Sequence, residues 1–288
     1  MSRGTSSSEL DRLLESLGDL PSSPAIVSAV IGMASDLNTN LSELGKVLSA
    51  DQGLTAKVLR LSNSSFYGRS KQIGTVDEAI MTLGYYTLRS LVVASSTHSI
   101  FRQKDVTRFL PVLWDHSLAT AVAARLLGRQ VRHPQTEEAF IGGLLHDVGK
   151  LVITQKLLEP YAAVREKATA DGQWCVHEKQ AFGFTHVDVG VAVLELWNLP
   201  RILVEAVALH HQEMQMALDR PPTLAQLIWL SNQIAHSTAS PWRDPAEQNW
   251  ERKFAAANVP WPAQQIAAFF NTFQEQLTQE RWLFSEGS

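Results

Sequence analysis

One cysteine, Cys175, stands in 288 residues, so no intrachain disulfide can form and thiolate zinc sites are excluded. Nowhere do 18 apolar residues run together, so no membrane-spanning helix is expected, and the opening stretch from Met1 to Leu14 has no apolar signal core. Positive charge is not in surplus either: 25 Lys and Arg against 29 Asp and Glu leave a formal net charge of −4. That balance gives no overall attraction to nucleic acid or anionic lipid. Lys57, Arg60, Arg69, Lys71 and Arg89 are the basic residues a helix-turn-helix reading would use, but stacked helices scatter such charges routinely. Sustained period-two alternation bounded by turns is also missing, so no sheet is expected. These absences point to a cytoplasmic protein that binds neither membrane nor nucleic acid.

What is present is enough apolar material to pack. Hydrophobic residues make up 45% and charged residues 19%, which places the chain among folded proteins, and its length suits one core with a dependent lobe. Apolar residues recur at helical spacing along the chain. Ser6 with Glu9 and Asn40 with Glu43 form capping-box pairs, Ser23-Pro24 opens a helix carrying Ile26, Val27, Val30 and Ile31, and Asp51 caps the next. That helix, 52 to 62, turns Leu54, Val58 and Leu61 inward and ends in the turn chemistry of Asn63 to Gly68. Further helices are expected around 75–83, 87–95, 108–129, 136–154, 157–171, 175–182, 186–197, 200–214, 222–236 and 262–279. Residues 237–262 read as a packed irregular connection with a short helix inside. Trp242, Trp250, Trp261, Phe269, Phe270, Phe273, Trp282 and Phe284 crowd the C-terminal tail, where they either staple it to the body or form a partner surface.

Chemistry concentrates on histidine and aspartate. His146-Asp147 sits in the apolar helix expected from Thr136, where a His-Asp pair is costly to leave uncompensated. Metal compensates it in one reading; in the other, Asp147 is an internal ion-pair partner. His116 accompanies an apolar face of Leu113, Leu118 and Val122, as a ligand or as a core histidine bonded to a carbonyl or to Asp115. His186 opens a helix and can aim into a cleft, unless Thr185 caps that helix and His186 is exposed. His210-His211 closes a helix whose dipole alone favours histidine. Four helices thus bring His or Asp to an apolar face. Imidazole with carboxylate suits one or two ions of iron, manganese, zinc or nickel, and such a site can activate water against a phosphoester. Lys150, one turn beyond His146, either neutralises phosphate charge there or is a solvated surface lysine. Asp147 and Lys150 are the candidate catalytic residues; His98, His133, His177 and His236 are placed outside the cluster.

The order of these marks resembles the HD superfamily of metal-dependent phosphohydrolases, and from about Leu20 to His236 its HDOD branch. Leu20-Pro21, the run Asp51 to Ser64, Ala79-Ile80, Leu83-Gly84 and Leu88-Arg89 carry the N-terminal part of the likeness. Leu144 to Lys150, Glu178, Phe184-Thr185-His186, Gly190, Leu196 to Pro200 and His210-His211 carry the rest. The resemblance implies an all-α, multi-helix HD-domain-like bundle with an N-terminal helical lobe, and a metal set of His116, His146, Asp147, His186, His210, His211 and Asn232. In that set Asn232 falls where active HD proteins have their last Asp, and Val112 falls where the two-metal branch places an acidic ligand. Both departures weaken a hydrolase. The expected organisation is an extension over 1–19, a lobe over 20–106, an HD-like domain over 107–238 and an aromatic-rich extension over 239–288 packed on the body. The expected function is a bacterial regulatory module with a protein partner in a signalling pathway; the alternative is a metal-dependent phosphohydrolase acting on a nucleotide or other phosphoester.

Overall fold

A computed structural model describes residues 10, 12–13, 30, 44–48, 52–63, 73–101, 109–212, 220–237 and 249–285. The helix opening at Pro24, both early capping-box pairs, the Asp51 cap and Trp242 lie outside the described residues. Among the described residues there are thirteen delimited helices and no strand, as the helical spacing predicts: α1 (Gln52–Ser62), α2 (Val76–Leu83), α3 (Tyr85–Phe101), α4 (Phe109–Gln130), α5 (Thr136–Leu145), α6 (Val148–Lys156), α7 (Leu158–Asp171), α8 (Trp174–Phe182), α9 (His186–Leu196), α10 (Arg201–Leu209), α11 (Leu224–Ser237), α12 (Trp250–Ala256) and α13 (Ala263–Ser285). No described helix is long and apolar enough to cross a membrane.

Local chemistry sets the helix ends. The Asn63 side chain closes α1 by donating to the carbonyls of Leu59 (2.9 Å) and Ile73 (2.8 Å) and accepting from the Ile73 N–H at 2.7 Å. Thr75 and Glu78 form a reciprocal capping box at the start of α2. Helix α3 packs on α1 and on α5, where Arg89 meets Glu138 at 2.6 Å. Helix α4 is the central rod, packed by α5, α11 and α13 and buried along most of its length.

The sequence spacing predicts one helix over 136–154, and here the structure corrects it. Helix α5 ends at Leu145, His146 and Asp147 form a turn, and Asp147 takes φ −104° and ψ 17° before α6 begins. The redirected α6 crosses α9 so closely that a Cβ on Gly149 would lie 1.9 Å from the His186 carbonyl oxygen. The break therefore serves tertiary contact, and no proline or helix-ending glycine announces it.

The tail is bound from several directions. Phe254, Phe269 and Phe273 are fully buried, the last two with stacked rings 6.2 Å apart. Phe284 meets Trp114 at 5.1 Å, Arg60 donates to the Leu283 carbonyl, and Arg281 grips Asp115 with two 2.6 Å bonds. Helix α13 thus touches both α1 and α4. Trp282 departs from the stapling aromatics, being 57% exposed.

Candidate metal centre

Six of the seven predicted ligands converge. His116 comes from the second turn of α4, His146 and Asp147 from the turn between α5 and α6, His186 from the first residue of α9, and His210 and His211 from just past α10. Ligand atoms of Asp147, His186, His210 and His211 lie within 4.8 Å of one another, and so do those of His116, His146 and Asp147. Asp147 belongs to both groups, and its two oxygens divide them. Oδ2 faces His146 Nε2 at 3.4 Å and His116 Nε2 at 3.7 Å. Oδ1 faces His186 Nε2 at 3.4 Å and His210 Nε2 at 3.6 Å.

Hydrogen bonds on the far side of three of the rings show which nitrogens offer lone pairs. His146 Nδ1 lies 2.8 Å from the Gly143 carbonyl and His210 Nδ1 lies 2.6 Å from that of Val207. A carbonyl only accepts, so Nδ1 must carry the hydrogen and the neutral ring presents a bare lone pair at Nε2. His186 Nδ1 donates likewise to Glu178 at 2.6 Å, and Glu178 is held in turn by the His186 N–H and the Tyr161 hydroxyl at 2.7 Å. This carboxylate behind an imidazole is the support that metal-binding histidines have. Thr185 does cap α9, with Asp188 as its reciprocal partner, yet His186 is fully buried rather than exposed.

Three lone pairs therefore point at an acidic carboxylate. That arrangement repels unless a cation sits among them or the imidazoles take a second proton, which burial opposes at His210. Desolvation holds His116 well below the ordinary histidine range, with His236 and His146 adding to it, and pulls His210 down to about 4 against the opposing attraction of Asp147. The His211 ring is lowered by desolvation and by His210 and His186, although the residue keeps an edge open to solvent. Burial alone would raise the Asp147 carboxyl, but Lys150 and His146 keep it well below the carboxylate range. Asp147 Oδ1 and His210 Nε2 are buried without a hydrogen-bond partner. Two donors about 2.1 Å from one ion at a tetrahedral angle lie roughly 3.4 Å apart, close to the nitrogen-to-oxygen separations seen here. The residues fit a divalent transition metal.

Other expectations change. Lys150 is not a surface lysine: it is 1% exposed, bonds Asp147 Oδ2 at 2.8 Å and lies 4.5 Å from the centre of the Trp174 ring. His236, placed outside the cluster by its sequence context, packs its ring 4.5 Å from that of His116. Asn232 stands one turn before it on the same face of α11, buried, with Oδ1 lacking a hydrogen-bond partner. That i, i+4 relation was the available signal for His236. Glu178, a family mark with no role assigned from sequence, emerges as the support of His186. Cys175 lies near Glu178 and His186 but is pushed up to about 12 by burial and by Glu178, so it is no thiolate. His98 stays apart, enclosed by Trp114 and Phe284 and bonded to Lys57 at 2.7 Å.

Comparison with known proteins agrees with the fold. A structure of an HDOD domain protein of unknown function from Geobacter sulfurreducens matches with TM-score 0.77 and 21% identity, over 98% of this chain and 99% of that one. A protein of Shewanella amazonensis SB2B, provisionally named a phosphohydrolase, matches with TM-score 0.74 and 22% identity over 97% and 98%. One of Marinobacter aquaeolei VT8, provisionally named a signal transduction protein, gives 0.69 and 18% over 98% and 64%. These likenesses show the fold. An uncharacterised protein of Treponema pallidum (strain Nichols) is 22% identical over 269 residues, and the chain spans about half the length (52%) of that curated relative. The HDOD domain model matches residues 20–213 of the 288, and the chain belongs to the HDOD family.

Proposed function

We propose that this chain is a regulatory module of bacterial signal transduction whose buried His/Asp centre holds a divalent transition metal as part of its folded architecture, with output through a protein partner. The observation that carries this reading is burial. His116, His146, Asp147, His186 and His210 are at most 2% exposed, and His211 is the one exposed member. A phosphoester needs an open approach to the reacting centre, and a closed ligand set favours a structural or sensory ion. Asn232, an uncharged amide where a carboxylate would bind more strongly, favours the same reading. The N-terminal lobe, taken as 20–106 against an HD-like part over 107–238, carries Met81 (78% exposed) and Tyr86 (47%), apolar groups suited to a partner.

The second reading is a phosphohydrolase acting on a nucleotide or other phosphoester. It is favoured by the adjacency of Asp147 and Lys150 and by the exposed edge at His211. A bound divalent ion would supply Lewis acidity there; Asp147 and the imidazoles would hold it, and Lys150 would offer positive charge to a phosphate.

A phosphodiesterase assay on untagged protein with added manganese, using an aryl phosphate diester, separates the two. The regulatory reading expects no turnover above buffer. Turnover that disappears in His146→Ala would replace it with the enzyme reading.

A further inference from the structure

Outside the metal centre, residues 12–13 and the ends of α6 and α8 enclose an open cleft of about 570 Å³. That size falls within the roughly 300–1,000 Å³ of small-molecule sites, and the cleft shares no lining residue with the His/Asp cluster. Local sequence builds its aromatic wall. Gly183, at φ 77°, ends α8 in the left-handed region that favours glycine. On either side of it, Phe182 and Phe184 stack their rings 5.7 Å apart. Leu13 and Leu157 extend the wall, and Leu13, Phe182 and Phe184 are buried.

Two cations accompany this apolar surface. Arg12 is exposed, and Lys156 is half-buried as the last residue of α6. No acidic side chain is among the described residues that line the cleft. A chain with a formal net charge of −4 thus sets only positive charge beside an apolar hollow. A neutral apolar guest would gain nothing from the two cations, and a small inorganic anion would leave the aromatic wall in water. A guest with an apolar body and an anionic head uses both features.

We propose that this cleft is a binding site for a small amphipathic carboxylate, its apolar body against Leu13, Leu157, Phe182 and Phe184 and its head held by Arg12 and Lys156. The site gives the chain a small-molecule ligand whose binding does not require a metal.

The test is isothermal titration calorimetry of the untagged full chain with dodecanoate below its micelle concentration, with circular dichroism confirming the fold of each variant. The wild type is expected to saturate at one dodecanoate per chain and to bind dodecyltrimethylammonium at least about 10-fold more weakly. Arg12→Gln combined with Lys156→Gln should weaken dodecanoate by about 10-fold and change the binding of uncharged dodecanol by less than about threefold, because only the head loses a partner. Ala181→Trp, which adds bulk from an exposed position on the lining, should weaken both guests by about 10-fold or more. The charge variant carries the test even if Ala181→Trp does not fold. No saturable binding of monomeric dodecanoate, or binding only when it is presented in phosphatidylglycerol vesicles, would overturn the proposal. So would equal affinity for the cationic amphiphile, or unchanged dodecanoate affinity in either folded variant.

Discussion

In the seam where α4 meets α13 and the start of α5, cations face anions. Arg281 grips Asp115, and Arg125 lies over the Phe140 ring between Glu137 at 3.3 Å and Glu280 at 3.9 Å. In the metal centre, imidazole lone pairs face an acidic carboxylate and one another. The seam joins segments far apart in sequence and balances its charges within the chain, whereas the centre gathers acceptors that the chain leaves uncompensated on the Oδ1 side. Self-compensating polar clusters hold a fold together; a cluster of buried, converging acceptors is built for a cation from outside.

The comparison can be broken by substitutions on either side. The largest effect is expected from Gly149→Ala, whose methyl group would collide with the His186 backbone. Separating α6 from α9 should cost about 3 kcal/mol or more and carry Asp147 away from His186, so denaturant unfolding and metal content should fall together. A stable Gly149→Ala with full metal would show that this crossing does not set the site.

Glu178→Gln comes next. It removes the charge behind His186 while keeping its shape, and metal affinity should drop about 10- to 100-fold with helicity unchanged, measured by competition with a chelator.

Acidification of the metal-free chain should follow in size. Because His210 is held near 4 when folded and near 6.5 when unfolded, the unfolded state binds the proton first as pH falls. Its stability contribution is intact above about pH 6.5 and is lost between there and pH 4, on the order of 2 kcal/mol at pH 5, with His116 and His211 acting in the same sense. Thermal unfolding against pH checks this, and a flat profile from pH 7 to 5 would contradict it.

The smallest effect belongs to the seam. Arg281→Ala breaks a partly exposed ion pair and should cost less than about 1 kcal/mol, leaving metal affinity unchanged. A loss of affinity beyond threefold would mean that seam geometry reaches the metal centre and that the two regions are one system.

Much of this was legible in the sequence because it depends on local spacing. The apolar period of α1 and the helix around 75–83 are written in neighbouring residues, and the order of the His and Asp marks carried the family likeness. What escaped depends on tertiary contact. The turn at His146–Asp147 interrupts residues whose propensities favour one helix, and its cause is the approach of α9 at Gly149. Lys150 reads as a surface residue until Asp147 and Trp174 enclose it. His236 touches His116 across 120 positions of sequence, and only its spacing from Asn232 hints at a shared face. The orientations of His146, His210 and His186 rest on the Gly143 and Val207 carbonyls and on Glu178, partners that residue types alone do not disclose.

The central claim, that the buried His/Asp cluster holds a metal, is tested most directly by elemental analysis of the untagged chain beside a variant carrying His146→Ala and Asp147→Ala. The account predicts stoichiometric metal in the wild type and none above background in the double variant; the same metal content in both would contradict it.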